Sequence, residues 1–102
     1  MINTWLEKNF KRVIEFRRWL HKYPEIGFDE HNTSRYCQEL IKDLGYKIVQ
    51  NEIMKTGFYC EYGAGNAPIL AIRCDLDGLP IEEVNSIDYC SLNKGISHAC
   101  GH

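Results

Sequence analysis

The run Ile69-Leu70-Ala71-Ile72 is apolar at every position, and it constrains the fold more than any other part of the sequence. A strand with one wet face alternates apolar and polar side chains. An unbroken run therefore predicts a strand from Ala67 to Cys74 covered on both faces, as in the middle of an α/β sheet. What precedes it suits that class. Leu6, Phe10, Val13 and Leu20 recur at helical spacing and predict a helix from Thr4 to Lys22, ended by Pro24. A second helix is expected from Glu30 to Leu44. Asp29 would be its N-cap, Cys37, Leu40, Ile41 and Leu44 its apolar stripe, and Gly45 its stop. Two further strands are expected at Tyr46 to Ile53 and Gly57 to Tyr62; in the latter, Phe58, Cys60 and Tyr62 share a face against Tyr59 and Glu61. From Asp75 onward Gly78, Pro80, Asn85, Asn93 and Gly95 break the pattern into loop. The expected fold is α/β, two N-terminal helices followed by strands of a mixed sheet.

Composition narrows the partners. The 102 residues, 44% of them apolar, are enough for one small core. The net charge of -2, with acidic and basic residues interspersed, argues against nucleic acid or an anionic membrane surface. The opening Met1-Ile2-Asn3-Thr4-Trp5-Leu6-Glu7-Lys8 lacks the basic then apolar layout of an export signal, and no apolar run reaches the ~18 residues of a membrane helix. A cytoplasmic protein is the expectation. Its five cysteines are scattered and odd in number, with no Cys-x-x-Cys pair, so they are expected as thiols.

Two constellations carry chemistry. At the predicted strand end, Asp75 and Asp77 in Arg73-Cys74-Asp75-Leu76-Asp77-Gly78-Leu79-Pro80 would point to one side of an extended chain. The carboxyl ends of such strands are where ligands collect in α/β sheets. Asp-x-Asp-Gly also occurs in ordinary turns, where the Asp side chains accept from backbone N–H groups, and both readings stand on local sequence. The second constellation, His98-Ala99-Cys100-Gly101-His102, sets two imidazoles and a thiol two residues apart, donors that suit a divalent transition metal. Its bland alternative is a pair of exposed imidazoles and an incidental thiol. No second Cys or His pair is spaced to close a tetrahedral zinc site.

Taken together, these motifs resemble those of the metal-dependent N-acyl-amino-acid amidohydrolases. That group includes hippurate hydrolase and the auxin-conjugate hydrolases, within the aminoacylase and carboxypeptidase-G-like metallopeptidases. The opening motif stands as Arg17-Arg18-Trp19-Leu20-His21-Lys22-Tyr23-Pro24-Glu25, followed by Phe28, Glu30 and Thr33. The strand-end motif stands as Asp75-Leu76-Asp77-Gly78-Leu79-Pro80-Ile81 with Glu83 after it, and the metal motif as His98 to His102. The resemblance spans nearly the whole chain.

The resemblance implies a catalytic domain holding two divalent ions, zinc, manganese or cobalt, with Cys100 and His102 as ligands and Cys100 bound as thiolate. Asp77 is expected to orient a ligand in the catalytic site, Asp75 to stand behind it and His98 to brace the loop. The implied reaction is hydrolysis of the amide bond of an N-acyl amino acid, the substrate and small-molecule partner. The other motif residues are expected to be structural: Arg17, Arg18 and His21 in surface ion pairs, Pro24 and Glu25 at the helix exit. Glu82 and Glu83 would face opposite ways. Gly78, where the group usually has Ala, would loosen the loop, and Cys74 would fill core. The general-base Glu and the remaining ligands have no counterpart in this sequence. Residues 1–102 are therefore expected to be the N-terminal part of the catalytic domain, inactive alone and self-associating through an uncovered sheet flank. The alternative is a non-catalytic remnant or small binding module with weak metal capture.

Overall fold

The computed structural model describes residues 1–50, 53–63, 65 and 68–101. Helix α1 runs Ile2–Lys22 and helix α2 His31–Asp43, followed by strands β1 (Lys47–Gln50) and β2 (Phe58–Glu61). The strands pair antiparallel, with Lys47 opposite Glu61, Ile48 opposite Cys60 and Val49 opposite Tyr59. Helices followed by strands were expected, and both helices lie within two residues of their expected bounds. Gly45 stops α2 as read. Its φ of +87° is the left-handed turn that glycine adopts freely, and its N–H donates to the Lys42 carbonyl at 2.9 Å.

The start of α2 differs from expectation. Its N-cap is Glu30, whose side chain makes no cap bond, and Asp29 meets His31 through its backbone carbonyl, 2.9 Å from the His31 N–H, and through Oδ1, 3.3 Å from the His31 Nε2. The capping carboxylate is instead Glu25. It accepts from the N–H of Thr33 at 2.7 Å, the N–H of Asn32 at 3.1 Å and the Asn32 side-chain amide at 2.8 Å. Unpaired N–H groups of a helix's first turn accept a carboxylate from any part of the chain that reaches them. Glu25 thus sets the start of the second helix rather than the exit of the first.

The helices meet through aromatic rings at the C-terminal half of α1. Trp19 lies 4.0 Å from Tyr36 and Phe16 lies 5.5 Å from it, centroid to centroid. The first turns of α1 find no cover, and Leu6, Phe10 and Val13 stay exposed, so the stripe that predicted the helix is not its packing face here. Cys37 is the buried apolar side chain of α2.

The strand expected from Ala67 to Cys74 does not form over 68–74; Ala67 lies outside the described residues. Ile69, Leu70 and Ile72 are 95%, 85% and 83% exposed, and Cys74 is exposed rather than core filler. A strand is held by the backbone bonds of its neighbours. Among the described residues β1 and β2 pair only with each other, so the apolar run has no ladder to join. The chain exposes 8522 Å², against roughly 6000 Å² for a folded monomer of this mass by area scaling.

Candidate functional site

The three sequence motifs converge on one junction of loops. The end of the opening motif meets the strand-end motif through a parallel bridge between Ile26 and Gly78, in which the Gly78 N–H donates to the Glu25 carbonyl at 2.7 Å. One residue later the strand-end motif meets the segment leading into the metal motif. Leu79 and Ser97 exchange N–H···O bonds of 2.8 and 3.0 Å in an antiparallel bridge. The Ser97 hydroxyl donates to the Ile81 carbonyl at 2.7 Å, and the Asn93 side-chain amide closes the triangle by donating to the Pro24 carbonyl, also at 2.7 Å.

Gly78 makes this approach possible. A Cβ placed on it would stand 3.0 Å from the Pro24 Cβ, 3.2 Å from the Ile96 Cγ2 and 3.3 Å from the Ser97 carbonyl oxygen. Glycine here tightens the junction, whereas the sequence suggested a loosened loop.

Two adjacent carboxylates fasten the segment before the metal motif. As expected, they face different partners. Glu82 accepts from the Gly95 N–H. Glu83, whose side chain is 6% exposed, lies with Oε1 2.7 Å from Nε2 of His21 and accepts at 3.0 Å from the Asn85 amide, while its Oε2 accepts from the Ser91 N–H at 2.6 Å. Donation from Asn85, then from Ser91 and His21, holds the Glu83 carboxyl at about 2, well below its ordinary value. Ser91 passes the restraint on, its hydroxyl donating to the Ile96 carbonyl at 2.7 Å. The surface ion pair expected of His21 is thus a part-buried contact across 62 residues, and Arg18 stacks over the Tyr89 ring at 4.5 Å instead of pairing with a carboxylate.

The described candidate residues Asp77 and His98 adjoin this junction directly. Asp75 is held by Arg73 at 2.5 Å. Asp77 is exposed and turned toward Gly27, its Oδ2 3.6 Å from where a Cβ on that glycine would stand. His98 is half-buried beside Asp77 and His21. Burial, then the charge of His21, lower its pKa, outweighing the opposing pull of Asp77. Its Nε2 is buried without a hydrogen-bond partner among the described residues. Cys100 is exposed and Gly101 follows at φ +82°, while His102 lies outside the described residues.

The thiol of Cys100 suits a borderline divalent ion. Among the described residues no group of three or more His, Cys, Asp or Glu side chains could hold one. A groove of about 620 Å³ between α2 and β1, lined by Arg35, Glu39, Lys42, Lys47 and Ile48, lies apart from this junction.

Sequence reading missed the helix cap at Glu25 and the anchoring by Glu83 and Ser91. The signal available was Glu83 in its motif position; nothing in the spacing joins it to His21 or Ser91.

The junction can be set against known proteins. A scan against protein-family models gives no match. The N-acetyl-L-cysteine deacetylase of Bacillus subtilis (strain 168) is 41% identical over 93 residues, which is 90% of this chain and 22% of that protein. The crystal structure of the Bacillus subtilis YxeP protein, described as a dinuclear metal binding peptidase from the M20 family, superposes with a TM-score of 0.87 at 35% identity. The chain carries a partial M20 amidohydrolase-like region. The region aligned to YxeP is 94% of this chain and 27% of that one, so the M20-like chain spans about a quarter of that structure's length. A protein of Rhodococcus jostii (strain RHA1), provisionally named glutamate–cysteine ligase 2-3, is 36% identical over 97% of this chain and 13% of its own length.

Proposed function

We propose that this M20-like chain supplies the N-terminal part of the catalytic domain of a divalent-metal-dependent amidohydrolase acting on N-acyl amino acids or similar amides. The observation that carries the proposal is the junction itself: the bridges at Gly78 and at Leu79 with Ser97 bring the strand-end motif against the residue that precedes His98. In this reading Cys100 and His102 are two of the ligands, Cys100 as thiolate, and Asp77 orients a ligand within the catalytic site. A pair of ions, zinc, manganese or cobalt, would supply polarisation of the scissile carbonyl when bound. Two donors do not fix the geometry that hydrolysis needs, so residues 1–102 alone are inactive.

The same reading explains the bare apolar run at 69–72. Apolar surface on this scale is normally covered, and in this chain by itself it draws copies together. No described helix is long and apolar enough to cross a membrane, and none of the five cysteines is in a disulfide; we place the protein in the cytoplasm.

The test is calorimetric titration of the chain with Zn²⁺ and Mn²⁺ beside a Cys100→Ala, His102→Ala variant, with hydrolysis of an N-acyl amino acid followed on the same samples. Binding that is lost in the variant, without turnover, supports the reading. Binding that survives the double substitution refutes the ligand assignment and favours a non-catalytic module. Turnover by the chain alone refutes the incomplete-site argument.

A further inference from the structure

We propose that the groove between α2 and β1 is a binding site for a small polyanion carrying a chain of phosphates. It lies apart from the junction and does not depend on the reading of Cys100 and His102 as ligands.

The register of the surrounding elements concentrates positive charge there. Arg35, Glu39 and Lys42 follow one another at helical steps of four and three residues, so they share one face of α2 over roughly 10 Å. Lys47, at the start of β1, and Lys55, shortly before β2, line the same groove of about 620 Å³. Four cations thus face one lining carboxylate, Glu39, in a chain whose net charge is -2. Cations elsewhere in the chain find carboxylates: Lys11 lies 3.9 Å from Glu15, Arg12 3.8 Å from Asp43 and Arg73 2.5 Å from Asp75. Among the described residues none of the four in the groove has such a partner within 4 Å. Glu61 stands opposite Lys47 across the ladder without pairing with it, and the buried carboxylate of Glu30 accepts from the Thr56 hydroxyl.

A buried hydroxyl points to the same kind of ligand. Ser34 lines the groove and is only 4% exposed. Its Oγ accepts from the Gln38 Nε2 at 3.0 Å, and no acceptor for its own hydrogen stands among the described residues. Buried donors normally have an acceptor, and a phosphate oxygen supplies one. Arg35 likewise uses only part of its guanidinium, one Nη2 donating to the Asn32 Oδ1 at 2.8 Å.

The spread of these donors selects the ligand. A lone carboxylate meets one or two of them, whereas cations ranged along two turns of helix and across to β1 are matched by charges repeated along a phosphate chain. Phosphate oxygens accept both the fork of Arg and the point charge of Lys, and a cleft lined by one sign of charge focuses its field on what enters. The volume lies within the roughly 300–1,000 Å³ usual for small-molecule sites. Tyr46 sets an aromatic ring against the same space.

The experiment is calorimetric titration of the 102-residue chain in metal-free buffer with inorganic tripolyphosphate, ATP and citrate, at low and at raised salt. The chain is compared with a Lys42→Glu, Lys47→Glu double variant, with Lys42→Gln, Lys47→Gln, and with Lys11→Glu, which reverses a cation on α1 outside the groove. Tripolyphosphate is expected to bind with one site per chain and to weaken as salt screens the groove. The Glu double variant is expected to weaken it about tenfold or more, because like charge then faces the ligand, with helical circular dichroism retained and Lys11→Glu leaving affinity unchanged. If the Glu variant fails to fold, the Gln variant carries the test with a smaller loss in the same direction. ATP binding more tightly than tripolyphosphate assigns the site to nucleotides, with Tyr46 as the ring their base meets; the reverse order assigns it to free polyphosphate. The proposal is overturned by any of four results: no binding of either phosphate ligand, affinity unaffected by the folded groove variant, an equal loss in Lys11→Glu, or citrate binding as tightly as tripolyphosphate.

Discussion

The junction at residues 77–83 and 91–97 and the stretch at 68–76 adjoin in sequence and are opposite in character. The junction buries Pro24 but little other apolar surface, and its loops are tied by bonds to Glu25, Leu79, Ile81, Glu83 and Pro24. The stretch before it has the sequence of a sheet centre and lies bare, with Ile69, Leu70 and Ile72 almost wholly exposed. Order in the first region comes from short-range polar partners supplied by this chain. Order in the second would need strands on either side, and none is present among the described residues. Strong local patterning therefore does not make an element, whereas a weak local signal becomes a fixed structure when its hydrogen bonds are all met.

The sharpest way to break this contrast is at Gly78. Gly78→Val would drive branched carbon into Pro24, Ile96 and the Ser97 carbonyl, already 3.0 to 3.3 Å from a bare Cβ. Overpacking of this kind costs about 1–3 kcal/mol. The expected result is a lowered urea midpoint with amide resonances of 91–98 displaced. An unchanged midpoint would show that the three segments do not meet as described.

Glu83 provides the next largest effect and a pH signature. Its carboxyl titrates at about 2 in the folded chain against an ordinary 4.5, so its contribution to stability is complete above about 4.5 and is lost as pH falls through that window toward 2. Acid titration of the unaltered chain should therefore show destabilisation between these values, flattened in Glu83→Gln. Identical acid profiles would remove Glu83 from the account.

Glu25 should matter less. Glu25→Ala leaves the N–H groups of Asn32 and Thr33 without their acceptor, and loss of a helix cap costs about 1 kcal/mol. Burial opposes ionisation of this carboxyl, but the bonds from Thr33 and Asn32 prevail and lower its pKa. Faster hydrogen exchange confined to the first turn of α2 is the expected readout.

The smallest effect on stability is expected where the apolar signal is strongest. Ile72→Asp changes a side chain that is 83% exposed, so the monomer should move by no more than about 0.5 kcal/mol. Light scattering should nevertheless record a lower apparent mass, since a charge in the 69–72 run opposes association of copies. A large loss of monomer stability would mean that the run is packed within the chain after all.

The helices were legible because their causes are local. Proline after Lys22 and glycine after Leu44 end them whatever surrounds them. Strand β2 was legible for the same reason, its alternation of Phe58 and Cys60 against Tyr59 and Glu61 marking two faces, whereas its antiparallel pairing with β1 was not read from the sequence. The third strand was misread because its apolar pattern specifies a covered environment, and no residue in the run can supply one. At the site, sequence drew attention to Asp75, Asp77, His98, Cys100 and His102 by residue type and spacing. It gave no sign that Glu83 would reach back 62 residues to His21 or that Glu25 would cap α2.

By itself the sequence determined the two helices, where each one stops, the alternating faces of β2 and the residue types of the run from His98 to His102, because propensity, capping chemistry and side-chain type act over a few residues. Only the tertiary structure decided which motifs touch, that Gly78 is a point of closest approach, and that Glu82 and Glu83 anchor the segment carrying Cys100. Contacts between distant residues depend on where whole elements stop and turn, and buried polar groups then accept whatever partner that geometry brings within reach.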